Sequence, residues 1–284
     1  MCIRDSNNIS SKGIYDHLGG GISRYTVDEK WIVPHFEKML YDNILFVRTV
    51  NNYLVNKQDK KLNDKLIQTI NFINNEFLND KNLLGSAYDA DSEGIEGKYY
   101  VWSAEEIKRL LGNDIDIFKK KYLVTKEGNF EGSNILIEND NYELNENELE
   151  IINKSEKKLF DERKKRVKPF FDDKSQTDLN SFWIYTLLHS SFVINDVNLR
   201  NKSFDLFENL QKTLNNKIYH CYDKKGEIDV FLEDYAYFAL VLVSFYEVTG
   251  DEKYLTKSEE ILNQTLSLFY DEETKTLQKN SQKS

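Results

Sequence analysis

Imidazoles and carboxylates spaced closely along a chain are the groups able to move protons or hold a polar ligand, and two short stretches concentrate them here. Residues 34–43 read P-H-F-E-K-M-L-Y-D-N, which interleaves His35, Glu37, Lys38, Tyr41 and Asp42 with Phe36, Met39 and Leu40. Residues 86–102 read S-A-Y-D-A-D-S-E-G-I-E-G-K-Y-Y-V-W, where Asp89, Asp91, Glu93 and Glu96 alternate like oxygen ligands. Imidazole beside carboxylate offers general acid–base chemistry, and alternating carboxylates offer a hard-cation loop. The calcium-loop template takes Asp89, Asp91, Glu93 and Gly94 as its first, third, fifth and sixth positions. Its twelfth falls on Tyr100 instead of glutamate, so no metal is assigned there. Upstream, residues 13–25 (G-I-Y-D-H-L-G-G-G-I-S-R-Y) set Asp16 and His17 before three glycines. The spacing of a nucleotide loop is missing, and a tight turn is expected.

The elements that must position these groups are mostly helical. Proline suits the first helical turn, and Phe36, Met39, Leu40, Ile44, Val47, Val50 and Leu54 follow at spacings of three and four. A helix is therefore expected from Pro34, with His35, Lys38, Tyr41 and Asp42 projecting together from its edge. Residues 61–78 repeat the pattern through Leu62, Leu66, Ile70, Ile73 and Phe77, making an antiparallel hairpin. Ser103 and Glu106 form a capping box for a helix over 104–111, stopped by Gly112, and Asn129 and Glu131 lie in a polar turn between Gly128 and Gly132. Residues 145–168 are charged and end in R-K-K-R-V-K, which reads as a solvated helix end. Asp172, Asp173 and Lys174 precede a helix carrying Leu179, Phe182, Trp183, Leu187 and Val193, with residues 198–214 as its return partner. Residues 231–248 are apolar nearly all round, as befits an inner helix, with Glu233, Asp234 and Tyr235 at its start and residues 252–269 as outer partner. Alternating inner and outer helices of this kind can close into an α/α toroid whose end loops surround a pocket.

Composition narrows the partners. Lysine and arginine number 38 against 48 aspartates and glutamates, a net charge of −10 that disfavours nucleic acid. Cys2 and Cys221 form no close-spaced pair, so neither a disulfide scaffold nor dithiol chemistry is expected and a reducing cytoplasm fits. No stretch is apolar enough to span a membrane. Residues 1–12 match no helix or strand template and read as a disordered or fragment start; residues 271–284 read as a polar, truncated tail.

Taken together, residues 13–28, W-I-V-P-H-F-E-K-M-L-Y-D-N, A-Y-D-A-D-S-E-G-I-E-G-K-Y-Y-V-W, E-G-N-F-E-G, R-V-K-P-F-F-D-D-K and F-L-E-D-Y-A-Y closely resemble the spermatogenesis-associated protein 20 family, also called thioredoxin-domain-containing proteins. The resemblance runs over about residues 13–270. It implies an all-α fold, the (α/α)6 toroid of six-hairpin glycosidases and N-acylglucosamine 2-epimerases, with short β segments in its loops and a thioredoxin-like domain in full-length relatives. Only about three hairpins are expected here, hence an incomplete ring prone to association. The family continues from Asp-Asp-Lys into Leu-Thr-x-Trp-Asn-Gly, whereas this chain has Gln176, Thr177, Asp178, Leu179, Asn180 and Ser181. The implied ligand is a small, sugar-like molecule, with no cofactor. Among candidate catalytic groups, Glu37, Asp89 or Asp91 would act as acid or base and His17 or His35 as proton carrier. Candidate binding groups are Arg24, Lys38, Tyr41 and Asp42; Glu96, Lys98, Asn129 and Glu131; Asp172, Asp173 and Lys174; and Glu233, Asp234 and Tyr235. Sugar epimerase or glycoside hydrolase-like activity, impaired by the lost tryptophan, is one expectation; a non-catalytic carbohydrate- or protein-binding module is the other.

Overall fold

The computed structural model describes residues 8–139, 141–215, 217–222 and 228–281. They divide into two compact units, one built from residues up to 50, 58–75 and 87–172, the other from 51–57, 76–86 and residues from 173 on. Cys2 lies outside the described residues.

In the first unit the helix expected at Pro34 starts later. Burial alternates over residues 34–39, with Pro34, Phe36 and Lys38 inside and His35, Glu37 and Met39 partly exposed. That is the period of two of an extended strand. Strand β1 (Tyr25–Thr26) pairs antiparallel with β2 (Pro34–His35), which sets Tyr25 opposite His35. Cross-strand bonds from Val27 N–H to the Val33 carbonyl and from Arg24 N–H to the Glu37 carbonyl, both 2.9 Å, continue the ladder. Proline fits the start of an edge strand as readily as a first helical turn, and the partner strand decides between them. After β3 (Lys38–Met39), helix α1 occupies Leu40–Leu54 and α2 Lys60–Glu76.

The acidic stretch forms β4 (Ala87–Tyr88), β5 (Asp91–Ser92) and β6 (Ile95–Glu96). Glu93 and Gly94 join β5 to β6 with φ of 54° and 74°, the two positive values of a type I′ hairpin turn. Asp91 thereby faces Glu96 in register. Helices α3 (Ala104–Leu111), α4 (Ile115–Lys121) and α5 (Glu146–Arg163) enclose a core of Trp102, Ile107, Phe118, Ile152 and Leu159. Ser103 Oγ caps α3 by accepting the Glu106 N–H, while the Glu106 carboxylate turns instead to Arg166. Strand β7 (Phe171–Asp172) closes a sheet in the order β3-β4-β7.

The basic run at 163–168 is not simply a solvated end. Arg163 extends the buried stripe of Ile152, Ser155 and Leu159 and grips Asp16 through both terminal nitrogens, at 2.8 and 2.9 Å. Arg166 donates to the carbonyls of Tyr99 and Val101 at 2.8 and 2.9 Å.

The second unit follows the sequence pattern closely. Helices α6 (Thr177–Val193) and α8 (Leu232–Thr249) pack on each other, with α7 (Val197–Leu214) against α6 and α9 (Glu252–Phe269) against α8. Phe182 stacks on Tyr237, and Phe207 packs on both Phe238 and Phe245. The segment read as a shapeless tail instead forms a small hairpin, β8 (Tyr270–Asp271) with β9 (Thr276–Leu277), and the Leu232 N–H donates to the Lys279 carbonyl at 3.0 Å. Cys221 is a buried free thiol. Among the described residues no helix is long and apolar enough to cross a membrane.

Candidate functional site

The strand alternation at 34–39 turns His35 and Glu37 to one side and Phe36 and Lys38 to the other. His35 Nδ1 lies 2.8 Å from Glu96 Oε1. A carboxylate only accepts, so Nδ1 carries the hydrogen, and Nε2 is the nitrogen left to exchange a proton. Nε2 sits 4.0 Å from Glu37 Oε2. The Tyr25 ring, its cross-strand neighbour, stacks on the imidazole at 5.0 Å between centroids. Arg24 donates to Glu37 Oε2 at 3.0 Å and through Nε to the Tyr41 hydroxyl at 3.2 Å.

Next to Tyr41, burial pushes the Asp42 carboxyl up to about 6 against the opposing charge of Arg24, and its Oδ2 is buried with no hydrogen-bond partner. Such a group is protonated part of the time near neutrality. Asp91 stands opposite Glu96 in register, and Asp89 Oδ1 accepts the Asp91 N–H at 3.2 Å. With the His35 side chain 30 % exposed and that of Glu96 46 %, a solute can reach them.

Other expected residues are employed elsewhere. Lys38 is buried, donating to Asp16 at 2.7 Å and the Gly20 carbonyl at 2.9 Å, with its ammonium over the Phe72 ring. Helical spacing would have set it beside His35; strand alternation sends it inward. Asn129 bonds the Ile135 backbone in both directions, Glu131 occupies a turn at φ 47°, and Lys98 pairs with Glu93 at 2.8 Å. Asp172 lies in β7, the Asp173 carbonyl accepts from Asn79, and the Lys174 carbonyl accepts from Ser86.

His17 is 3 % exposed and faces a different set of partners. Its Nε2 donates to the Lys12 carbonyl at 3.1 Å, and Nδ1 faces both Lys65 Nζ at 3.0 Å and Glu138 Oε1 at 3.3 Å. Burial and the Lys65 charge lower the His17 pKa, and burial lowers that of Lys65. Burial alone would raise Glu138, yet His17 and Lys65 outweigh it and hold that carboxyl well below the usual range. These groups line a cavity of about 1000 Å³ with Lys61, Gln68, Tyr122 and Glu156. No sequence spacing links Lys65 or Glu138 to His17, since each comes from a separate segment.

In the second unit, Asp234 is wholly buried. Its Oδ2 accepts the Phe231 N–H at 2.8 Å, its Oδ1 accepts the Asp178 N–H at 3.2 Å, and His220 Nδ1 approaches at 3.1 Å. Burial and the Asp234 charge push Asp178 up to about 6. Burial alone would lower His220, but Asp234 outweighs it and raises the imidazole. Tyr235 packs edge-on to Phe269. Sequence reading missed His220 and Asp178, which no motif joins to Asp234.

Comparison with known proteins bears out the resemblance read from the motifs. Spermatogenesis-associated protein 20 of Homo sapiens is 26% identical over 318 aligned positions, covering 95% of this chain and 40% of its own length. An uncharacterized protein of Caenorhabditis elegans is 26% identical over 307, covering 92% and 42%. The chain thus spans about two fifths of the length of these curated relatives. No family model matches. Among solved structures, cellobiose 2-epimerase from Spirochaeta thermophila superposes with a TM-score of 0.54 at 8% identity, over 91% of this chain and 50% of the enzyme. That likeness concerns the fold: a mostly helical chain of the (α/α)6 toroid class with short strands.

Proposed function

We propose that the group around His35 is a sugar-binding acid–base site, with His35 Nε2 as proton carrier. The observation that carries this reading is the Glu96–His35–Glu37 alignment, in which one carboxylate fixes Nδ1–H and leaves Nε2 directed past a second carboxylate. In an epimerase-type step, Nε2 would take the proton from a carbon next to a sugar carbonyl, and the partly protonated Asp42 carboxyl would return one. Arg24 and Tyr41 would bind hydroxyls or the developing oxyanion. A fold shared with a cellobiose 2-epimerase supports a carbohydrate as the ligand, and two isolated cysteines support a cytoplasmic setting.

The test is proton exchange at C2 of cellobiose, amino sugars and glucuronides in D2O, followed by NMR. Exchange that disappears in His35→Gln and falls about tenfold or more in Glu96→Gln supports the proposal. A second reading, binding without turnover, is favoured by Arg24, which closes on Glu37 and Tyr41 and so satisfies much of the charge without a ligand. Saturable sugar binding that is lost in Arg24→Ala, without exchange, would select it. Absence of both binding and exchange rejects the site.

A further inference from the structure

Three side chains that the sugar-site reading leaves unused meet in the second unit. Asp178 stands in the first turn of α6, Asp234 in the first turn of α8, and His220 in the segment that joins α7 to α8. One donor atom from each lies within 4.8 Å of the others. His220 and Asp234 are buried and Asp178 is half-buried, so little water competes for them. Two carboxylates and an imidazole make a mixed oxygen–nitrogen set of the kind that suits Zn²⁺ or Mn²⁺. Bonds of about 2.1 Å in a tetrahedral set place donors about 3.4 Å apart, so the widest pair, within 4.8 Å, would close by up to about 1.4 Å on binding.

A second observation points the same way. Glu233, next to Asp234, keeps its Oε2 buried without a hydrogen-bond partner. Its negative charge acts on both Asp178 and His220. A buried carboxylate oxygen lacking a donor is costly, more so beside two other carboxylates, unless a cation compensates it. The imidazole hydrogen on Nδ1, bridging to Asp234 at 3.1 Å, supplies part of that compensation in the apo arrangement.

We propose that Asp178, His220 and Asp234 bind one divalent transition-metal cation, the ion taking the place of the Nδ1 hydrogen of His220. Coordination through Nδ1 requires its hydrogen to leave, from an imidazolium as a proton to solvent and from a neutral ring by transfer to Nε2, and because the imidazole and carboxylates bind metal only when unprotonated at the donor atom, affinity falls as the pH falls. The ion would tie the first turn of α6 to that of α8 and stabilise the second unit by mass action. It is independent of the His35 site, and contrary to the expectation from sequence that no metal is held.

Calorimetric titration of the whole chain with Zn²⁺ and with Mn²⁺, at about pH 7.5 and about pH 5.5, tests this, with Co²⁺ absorption as a report on coordination. The expected result is one ion per chain, held about tenfold or more tighter at the higher pH, with a Co²⁺ ligand-field band. Asp178→Asn and His220→Gln should each weaken binding about tenfold or more, their folds checked by circular dichroism. If His220→Gln fails to fold, Asp178→Asn decides alone, because its half-buried side chain tolerates the amide. No saturable binding at millimolar metal overturns the proposal, as does binding unchanged in the folded variants, which would place the ion elsewhere.

Discussion

Replacing Asp16 by asparagine asks whether the first unit depends on a buried charge triad. Asp16 receives Arg163 at 2.8 and 2.9 Å, Lys38 at 2.7 Å, and the N–H groups of Leu18 and Gly19 at 3.1 and 3.0 Å. The side chains of Asp16, Arg163 and Lys38 are 8%, 4% and 2% exposed. Asparagine keeps the shape but leaves two buried cations without a counter-charge and points an NH2 at one of them. Breaking a buried pair from one side costs about 3–5 kcal/mol, which lowers Tm by roughly 10 °C for a domain of this size. Lys38→Met, which spares the bidentate Asp16–Arg163 pair, should lose less.

The pH dependence gives an independent check. Burial alone would raise the Asp16 carboxyl, but Arg163 and Lys38 outweigh it and hold it well below the usual range. A carboxyl lowered in the folded state stabilises above its unfolded pKa of about 3.9 and loses that contribution as the pH falls further. The stability gap between parent and Asp16→Asn, measured by urea and thermal unfolding, should therefore be full at neutral pH and shrink below about pH 4. A variant within about 1 kcal/mol of the parent, or a gap independent of pH, would refute the triad as a stabilising element.

Three further outcomes follow from the site geometry. The Asp42 carboxyl should titrate near 6 by carbon-13 NMR. Because its folded pKa is raised, its ionisation destabilises the fold as pH rises from about 4 to about 6, so Asp42→Asn should gain Tm over the parent above that window and show no gain below it. Gly94→Val forces a β-branched residue into φ 74° and should cost about 1–2 kcal/mol while loosening the Asp91–Glu96 register, read as faster amide exchange in that hairpin. Gly97→Ala, at φ 73°, would put a methyl 2.5 Å from the Phe36 ring and should lower Tm; an unchanged Tm would show that the ring moves aside freely.

Much of the helical architecture was legible because its signals are local. Apolar spacing of three and four marked α2 and α6 to α9 within a residue or two, and Gly112 and Gly250 stop helices through the left-handed or related φ that glycine tolerates. The Glu93–Gly94 pair was visible as a loop, though its positive-φ hairpin, which aligns Asp91 with Glu96, was not. Helical spacing grouped His35, Lys38, Tyr41 and Asp42 on one edge, whereas the extended strand turns Lys38 inward and sets His35 and Glu37 on one side.

The amino-acid sequence by itself determined where helices form and which of their faces are apolar, because periodicity and capping depend on residues within a few positions of one another. Only the tertiary structure decided whether residues 34–39 are helix or strand, since pairing with residues 25–27 and 87–88 outweighs a local preference common to both. That choice sent Lys38 inward to Asp16 and left His35 between Glu96 and Glu37. It also decided which charges are buried: Arg163 meets Asp16 across 147 positions, and Asp178, His220 and Asp234 assemble from three separate segments. The physical reason is that a charge's environment is set by whatever the fold brings within a few ångströms, a relation that no spacing along the chain encodes.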